Sequence, residues 1–165
     1  MSTFQIDFGE SEDRVFGERE GRVIGIDLGT TNSLAAYTDE SGQPAIIPGA
    51  GGGKLVPSIV SLSPSGDVLV GAPARDALIT HPGRTVYSVK RLMGRGLEDV
   101  GEEIKLFPFR VAEGSESVIQ LQLGERTLTP PQASAEILRQ LKRNAEAHLG
   151  AEVTKAVITV PAYFN

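Results

Sequence analysis

Apolar and polar positions along the chain mark a series of short strands first and one long helix late. Residues 23–28 form a short apolar run, β-branched in part, that stops at Gly29, and residues 33–38 form a second strand-like run. Gly29-Thr30-Thr31-Asn32 lies between them, so a hairpin is the natural reading. Residues 39–44 read as another turn and residues 45–47 as a short third strand, which together predict an antiparallel meander. Residues 58–63 and 68–70 are strand-like on either side of Ser65-Gly66-Asp67. Residues 71–80 read as a short helix with Pro73 near its first turn, ended before His81-Pro82. Val86, Val89, Leu92 and Met93 have the spacing of a short helical face, stopped at Gly94. Residues 95–106 are ambiguous. Residues 107–112, 117–123 and 126–128 read as strands, the last two joined at Gly124-Glu125.

The clearest element is a helix over 130–149. Thr129 is its N-cap, Pro130 takes the first helical position, and Gln132 stands at the capping-box spacing. Ala133, Ile137, Leu141, Ala145 and Leu149 recur every four residues with Leu138 beside them, which predicts one buried face. Gly150 suits the terminus. An alternating apolar strand follows at 155–160. A helix feeding a strand is half of an α/β unit, so the chain is expected to be the first part of a larger domain. By contrast Gly49, Gly51, Gly52 and Gly53 predict a mobile stretch with no regular element.

Composition narrows the chemistry. The 165 residues are 40% hydrophobic and 22% charged, a globular balance with enough apolar material for a core. Lys+Arg is 16 against Asp+Glu 21, a net charge of −5, which argues against nucleic acid as a partner. There is no cysteine, so disulfides, thiolate metal sites and a thiol nucleophile are out. The two histidines, His81 and His148, exclude a His-rich metal site. No apolar run is long enough to span a membrane. Residues 1–21 are rich in acids and lack the basic start and apolar run of a secretory signal. They read as a flexible acidic extension on a cytoplasmic protein.

Two places carry candidate chemistry. Asp27 ends an apolar strand just before a glycine turn, where one carboxylate suits a hydrated magnesium ion. Gly29 lets backbone approach a phosphate, and Thr30 and Thr31 offer amides and hydroxyls to its oxygens. No Walker sequence follows, and an ordinary hairpin explains the same residues. Lys90 could neutralise a γ-phosphate or orient an attacking water. Lys90, Arg91 and Arg95 could equally be a solvated basic face.

Four motifs occur in one order: Gly25-Ile26-Asp27-Leu28-Gly29-Thr30-Thr31-Asn32-Ser33, Pro57-Ser58, Val89-Lys90-Arg91-Leu92-Met93-Gly94, and Val157-Ile158-Thr159-Val160-Pro161-Ala162-Tyr163-Phe164-Asn165. From Arg22 onward the chain closely resembles the start of the ATPase domain of the heat-shock protein 70 (DnaK-type) chaperones. The resemblance implies a ribonuclease-H-like first lobe of the actin superfamily, an incomplete α/β domain with a mixed sheet. In it, residues 22–56 and 130–165 are the ribonuclease-H-like subdomain, and residues 57–129 are a small outer α+β subdomain that carries Lys90. By resemblance, Asp27 holds magnesium through water, and Gly29, Thr30, Thr31 and Asn32 line the first phosphate loop. Lys90 is then the catalytic lysine and Pro161 a switch relaying nucleotide state. The implied ligands are ATP or ADP with magnesium. The implied partners are a J-domain co-chaperone, a nucleotide-exchange factor and client peptides. A finer likeness in residues 88–95 and 55–58 is to the HscA-type branch, which serves iron–sulfur cluster assembly. The acidic extension and the glycine run depart from the family pattern. A sugar or acetate kinase of the same superfamily, or a non-catalytic interaction module, are the alternatives. On this reading the 165 residues alone are inactive, because they supply one side of a two-sided cleft.

Overall fold

The computed structural model describes residues 22–101, 103–112 and 118–160, and the backbone alone of residues 2–7. Strand β1 is Ser2–Asp7. Strands β2 (Arg22–Asp27), β3 (Asn32–Thr38) and β4 (Pro44–Ile47) form the expected antiparallel meander, Ile26 facing Ala35 and Ala35 facing Ile47 in register. The short β5 (Val56–Pro57) pairs with the start of β3. Strands β6 (Ile59–Leu62), β7 (Val68–Val70) and β8 (Thr85–Tyr87) make a separate sheet in the order β7-β6-β8, with helix α1 (Ala72–Thr80) between β7 and β8. A 3-10 turn, Val89–Leu92, and the short helix α2 (Leu97–Val100) follow. Strands β9 (Arg110–Val111), β10 (Leu121–Leu123) and β11 (Arg126–Leu128) form a third small sheet. Helix α3 (Pro130–Leu149) then leads into β12 (Val153–Val160), which lies parallel to β2 in the main sheet, ordered β1-β12-β2-β3-β4. The class is thus mixed α/β, as expected.

Helix α3 is built as its sequence predicts. The Thr129 hydroxyl accepts from the Gln132 amide, and the Gln132 side chain accepts from the Thr129 amide. Gly150 closes the helix with φ +62°. Ala133, Ile137, Leu141 and Ala145 are buried against the main sheet, where Ile24, Ile26, Ala35, Ile47, Ala156 and Ile158 supply the facing layer. Leu149, at the last turn, is only half-buried. The same helix also touches β6, β7 and the 3-10 turn, so one core joins the main sheet to the smaller ones. Among the described residues no helix is long and apolar enough to cross a membrane.

Four expectations change. The sequence reading places no element before Arg22, yet the backbone of β1 pairs antiparallel with β12, Ser2 against Val160 through Asp7 against Lys155. The open edge of β12 has backbone donors and acceptors to satisfy, and a proline-free segment can pair there. Residues 8–21 lie outside the described residues. The helical face expected at 86–93 splits into β8 and a 3-10 turn, because Ser88 turns the chain with φ +54°. The expected strands at 107–112 and 117–123 shorten to two and three residues. The glycine run forms neither helix nor strand, but it closes on itself through Gly49 to Gly53 and Gly52 to Gly49 hydrogen bonds of 2.8 Å.

Candidate functional site

The turn between β2 and β3 is where the candidate residues meet. Asp27 is the last residue of β2 and is exposed. Leu28 is buried and anchors the start of the turn in the core. At Gly29 the backbone folds back so tightly that an added Cβ would sit 2.0 Å from the Asn32 carbonyl oxygen. A Cβ at that distance cannot be accommodated without moving backbone, so the turn requires glycine. Thr30 is half-buried, while Thr31 and Asn32 are exposed. These residues present a narrow cradle of backbone and hydroxyl groups beside one carboxylate.

A closed ring of hydrogen bonds braces this turn. The Gly29 amide donates to Ser33 Oγ at 3.2 Å, and the Ser33 and Ser58 hydroxyls lie 2.9 Å apart. The Ser58 hydroxyl donates to the Gly29 carbonyl at 2.8 Å. Each hydroxyl has one proton, so Ser33 must donate to Ser58, and the ring starts and ends on Gly29. The Ser58 amide also donates to the Thr31 carbonyl at 2.8 Å. Both serines are buried, at 1% and 2% exposure, which removes competing water. Ser33 and Ser58 are the positioning residues that composition and spacing did not single out. Ser58 appeared only as part of a family motif, and the pairing joins positions 25 residues apart.

Lys90 arrives from the other side. Its ammonium donates to the Leu28 carbonyl, 62 residues away in sequence, at 2.5 Å. Three local features deliver it. Ser88 adopts the left-handed conformation, uncommon for a residue with a side chain, and redirects the chain out of β8. Val89 and Leu92 are buried and fix the 3-10 turn on either side of Lys90. Met93 is buried against α3, where the Ser134 hydroxyl lies 3.7 Å from its sulfur. The basic-face reading therefore does not describe Lys90, which is half-buried and turned inward, whereas Arg91 is exposed.

Asp27 has one further neighbour. The Thr159 hydroxyl donates to Asp27 Oδ1 at 2.9 Å across the β2–β12 ladder, where the two residues are register partners. No cluster of three or more His, Asp or Glu ligands exists among the described residues. One carboxylate beside a glycine cradle does not fit a directly caged metal. It does fit magnesium, which keeps most of its waters and needs one or two carboxylates. The site thus brings together Asp27, Gly29, Thr30, Thr31, Asn32 and Lys90, and Pro161 lies outside the described residues. A positive charge, a negative charge and a backbone cradle meeting at one turn suit a polyphosphate with its cation. The family model for Hsp70 protein matches residues 23–165.

Proposed function

The chain belongs to the Hsp70 family, a family of chaperone ATPases, and from that premise we propose that the β2–β3 turn is the first phosphate loop of an ATP-hydrolysing site. The observation that carries this reading is the placement of Lys90 on the Leu28 carbonyl, within the turn that Asp27 and Gly29 define. Gly29, Thr30, Thr31 and Asn32 bind phosphate oxygens through amides and hydroxyls. Lys90 exchanges its carbonyl partner for the γ-phosphate and orients the attacking water. Asp27 holds magnesium through its hydration shell, and that ion supplies charge neutralisation on the phosphates. The ribonuclease-H-like subdomain is residues 22–56 and 130–165, and the outer subdomain is residues 57–129. This first side of the cleft excludes bulk water only when a second side closes over it, so residues 1–165 by themselves turn over no ATP.

In the cytoplasmic chaperone we propose, ATP hydrolysis is coupled to binding and release of client peptides. Pro161 relays nucleotide state, and a J-domain co-chaperone and a nucleotide-exchange factor set the cycle. The service is protein folding or iron–sulfur cluster assembly, the latter suggested by the HscA-like residues 88–95 and 55–58.

Lys90→Ala in the full-length chain tests the assignment. Val89 and Leu92 supply the packing of its turn, so folding and nucleotide affinity stay close to the parent. Single-turnover hydrolysis falls at least tenfold, about 1.4 kcal/mol of barrier. Unchanged hydrolysis would remove Lys90 from the mechanism.

A further inference from the structure

We propose that Thr159 is a positioning residue for Asp27, fixing how that carboxylate meets the magnesium shell; this rests on the reading of Asp27 as the magnesium-holding group. Asp27 stands exposed at the end of β2, where a carboxylate samples several rotamers and a broad range of its terminal torsion. Thr159 removes that freedom. Its hydroxyl donates to Oδ1 at 2.9 Å, a bond strengthened by the carboxylate charge. Oδ1 thereby has one lone pair engaged by the protein, which fixes the plane in which the carboxylate meets water of the ion's shell.

The choice of threonine matters. A β-branched side chain has restricted χ1 freedom, so its hydroxyl is held where the strand places it. The strand is itself fixed: Ala156 and Ile158 are buried against α3, and Thr159 is the direct register partner of Asp27 on the parallel neighbour. Thr159 and Asp27 are 132 residues apart in sequence, so the bond exists only when β12 and β2 are in register. The magnesium-holding carboxylate is therefore oriented from β12, the strand that runs toward Pro161.

Two substitutions separate the hydroxyl from the shape. Thr159→Val keeps the branched outline and the strand preference but deletes the donor. Thr159→Ser keeps the donor. In the full-length chain, calorimetric titration with a non-hydrolysable ATP analogue is read across magnesium concentrations and again with the metal chelated. Thr159→Val raises the magnesium needed for half-maximal binding about three- to tenfold, the range for losing one ordinary hydrogen bond, since this one is exposed to water. Analogue affinity with the metal chelated does not move, the melting temperature stays near the parent's, and Thr159→Ser stays within about twofold of the parent. Asp27→Asn is the reference. If Asp27→Asn shifts the magnesium dependence and Thr159→Val does not, the proposal is overturned while the role of Asp27 stands. A Thr159→Val loss of equal size with and without magnesium also overturns it, since that is a structural effect. If Asp27→Asn titrates like the parent, the reading of Asp27 falls and the proposal falls with it.

Discussion

The two turns of one meander are built in opposite ways. The β3–β4 turn is closed by its own residues: Asp39 Oδ1 accepts from the Ser41 amide, the Ser41 hydroxyl and the Gln43 amide, all within four positions. It is largely exposed, and Gly42 takes the left-handed conformation that the turn needs. The β2–β3 turn has almost nothing local to hold it beyond the Gly29 amide on Ser33. It is held instead by Ser58, 29 positions from Gly29, and Lys90, 62 positions from Leu28, rests against it. A turn that only reverses the chain can be self-sufficient. A turn that must hold backbone groups at fixed positions for a ligand needs partners from elsewhere, so that the fold as a whole determines its shape.

Gly29→Ala puts the greatest strain on this contrast. The new Cβ meets the Asn32 carbonyl oxygen at 2.0 Å, and both groups belong to backbone that the ring already restrains. The chain should lose about 3 kcal/mol of stability, at the upper end of overpacking costs, together with nucleotide binding. Gly42→Ala in the other turn is strained by its φ of +80°, but it meets nothing within 4 Å, so it should leave binding intact. Urea unfolding and calorimetric nucleotide titration read both variants. Equal binding losses in the two would dissolve the distinction.

Ser58→Ala is the next largest effect. It strips the Gly29 carbonyl of its hydroxyl donor and leaves the buried Ser33 hydroxyl without an acceptor. About 1–3 kcal/mol is expected for stranding such groups, with a weaker nucleotide site. Ser33→Ala alone should cost a similar amount. The two together should cost less than their sum by about 1 kcal/mol, because either change opens the ring. Strict additivity in a double-mutant cycle would show that the four groups do not act as a unit.

The meander and helix α3 with both its caps were legible in the sequence. Each depends on residues within a turn or two of one another, where spacing is geometry. The capping box at Thr129 and Gln132 shows this most plainly. What was not legible depends on proximity that only the fold creates. Nothing near Ser58 in sequence says that its hydroxyl completes a ring on Gly29. The left-handed Ser88 defeated the helical reading of 86–93, since a single reversed residue leaves the apolar spacing intact while breaking the helix. Strand β1 was missed for a related reason: its partner β12 lies far along the chain, at Val153–Val160, and pairing across such a distance leaves no local signal. Asp27 and the glycine turn were singled out from their pattern and Lys90 from its motif, but the contact that brings Lys90 onto Leu28 was not legible.

The smallest effect belongs to Asp39, and it tests whether the local turn is as independent as its bonds suggest. The Ser41 hydroxyl, followed by the Gln43 amide, holds the Asp39 carboxyl below its ordinary range, against a minor opposing effect of burial. A carboxyl lowered in the folded state contributes stability above its unfolded-state value, and that contribution is lost as pH falls through the lowered value. The group sits at the surface, so the effect is small and screened by salt. Asp39→Asn keeps an oxygen for the same donors but removes the charge. At neutral pH the variant should be slightly less stable than the parent, and the gap should close as pH drops below the usual carboxylate range. Urea midpoints from neutral to acid pH measure this directly. Nucleotide affinity should be the same in both chains, because no bond of this turn reaches Gly29, Ser58 or Lys90. A fall in affinity would mean that strain passes along β3 from one turn to the other, and that the β2–β3 turn is held by its neighbour as well as by its distant partners.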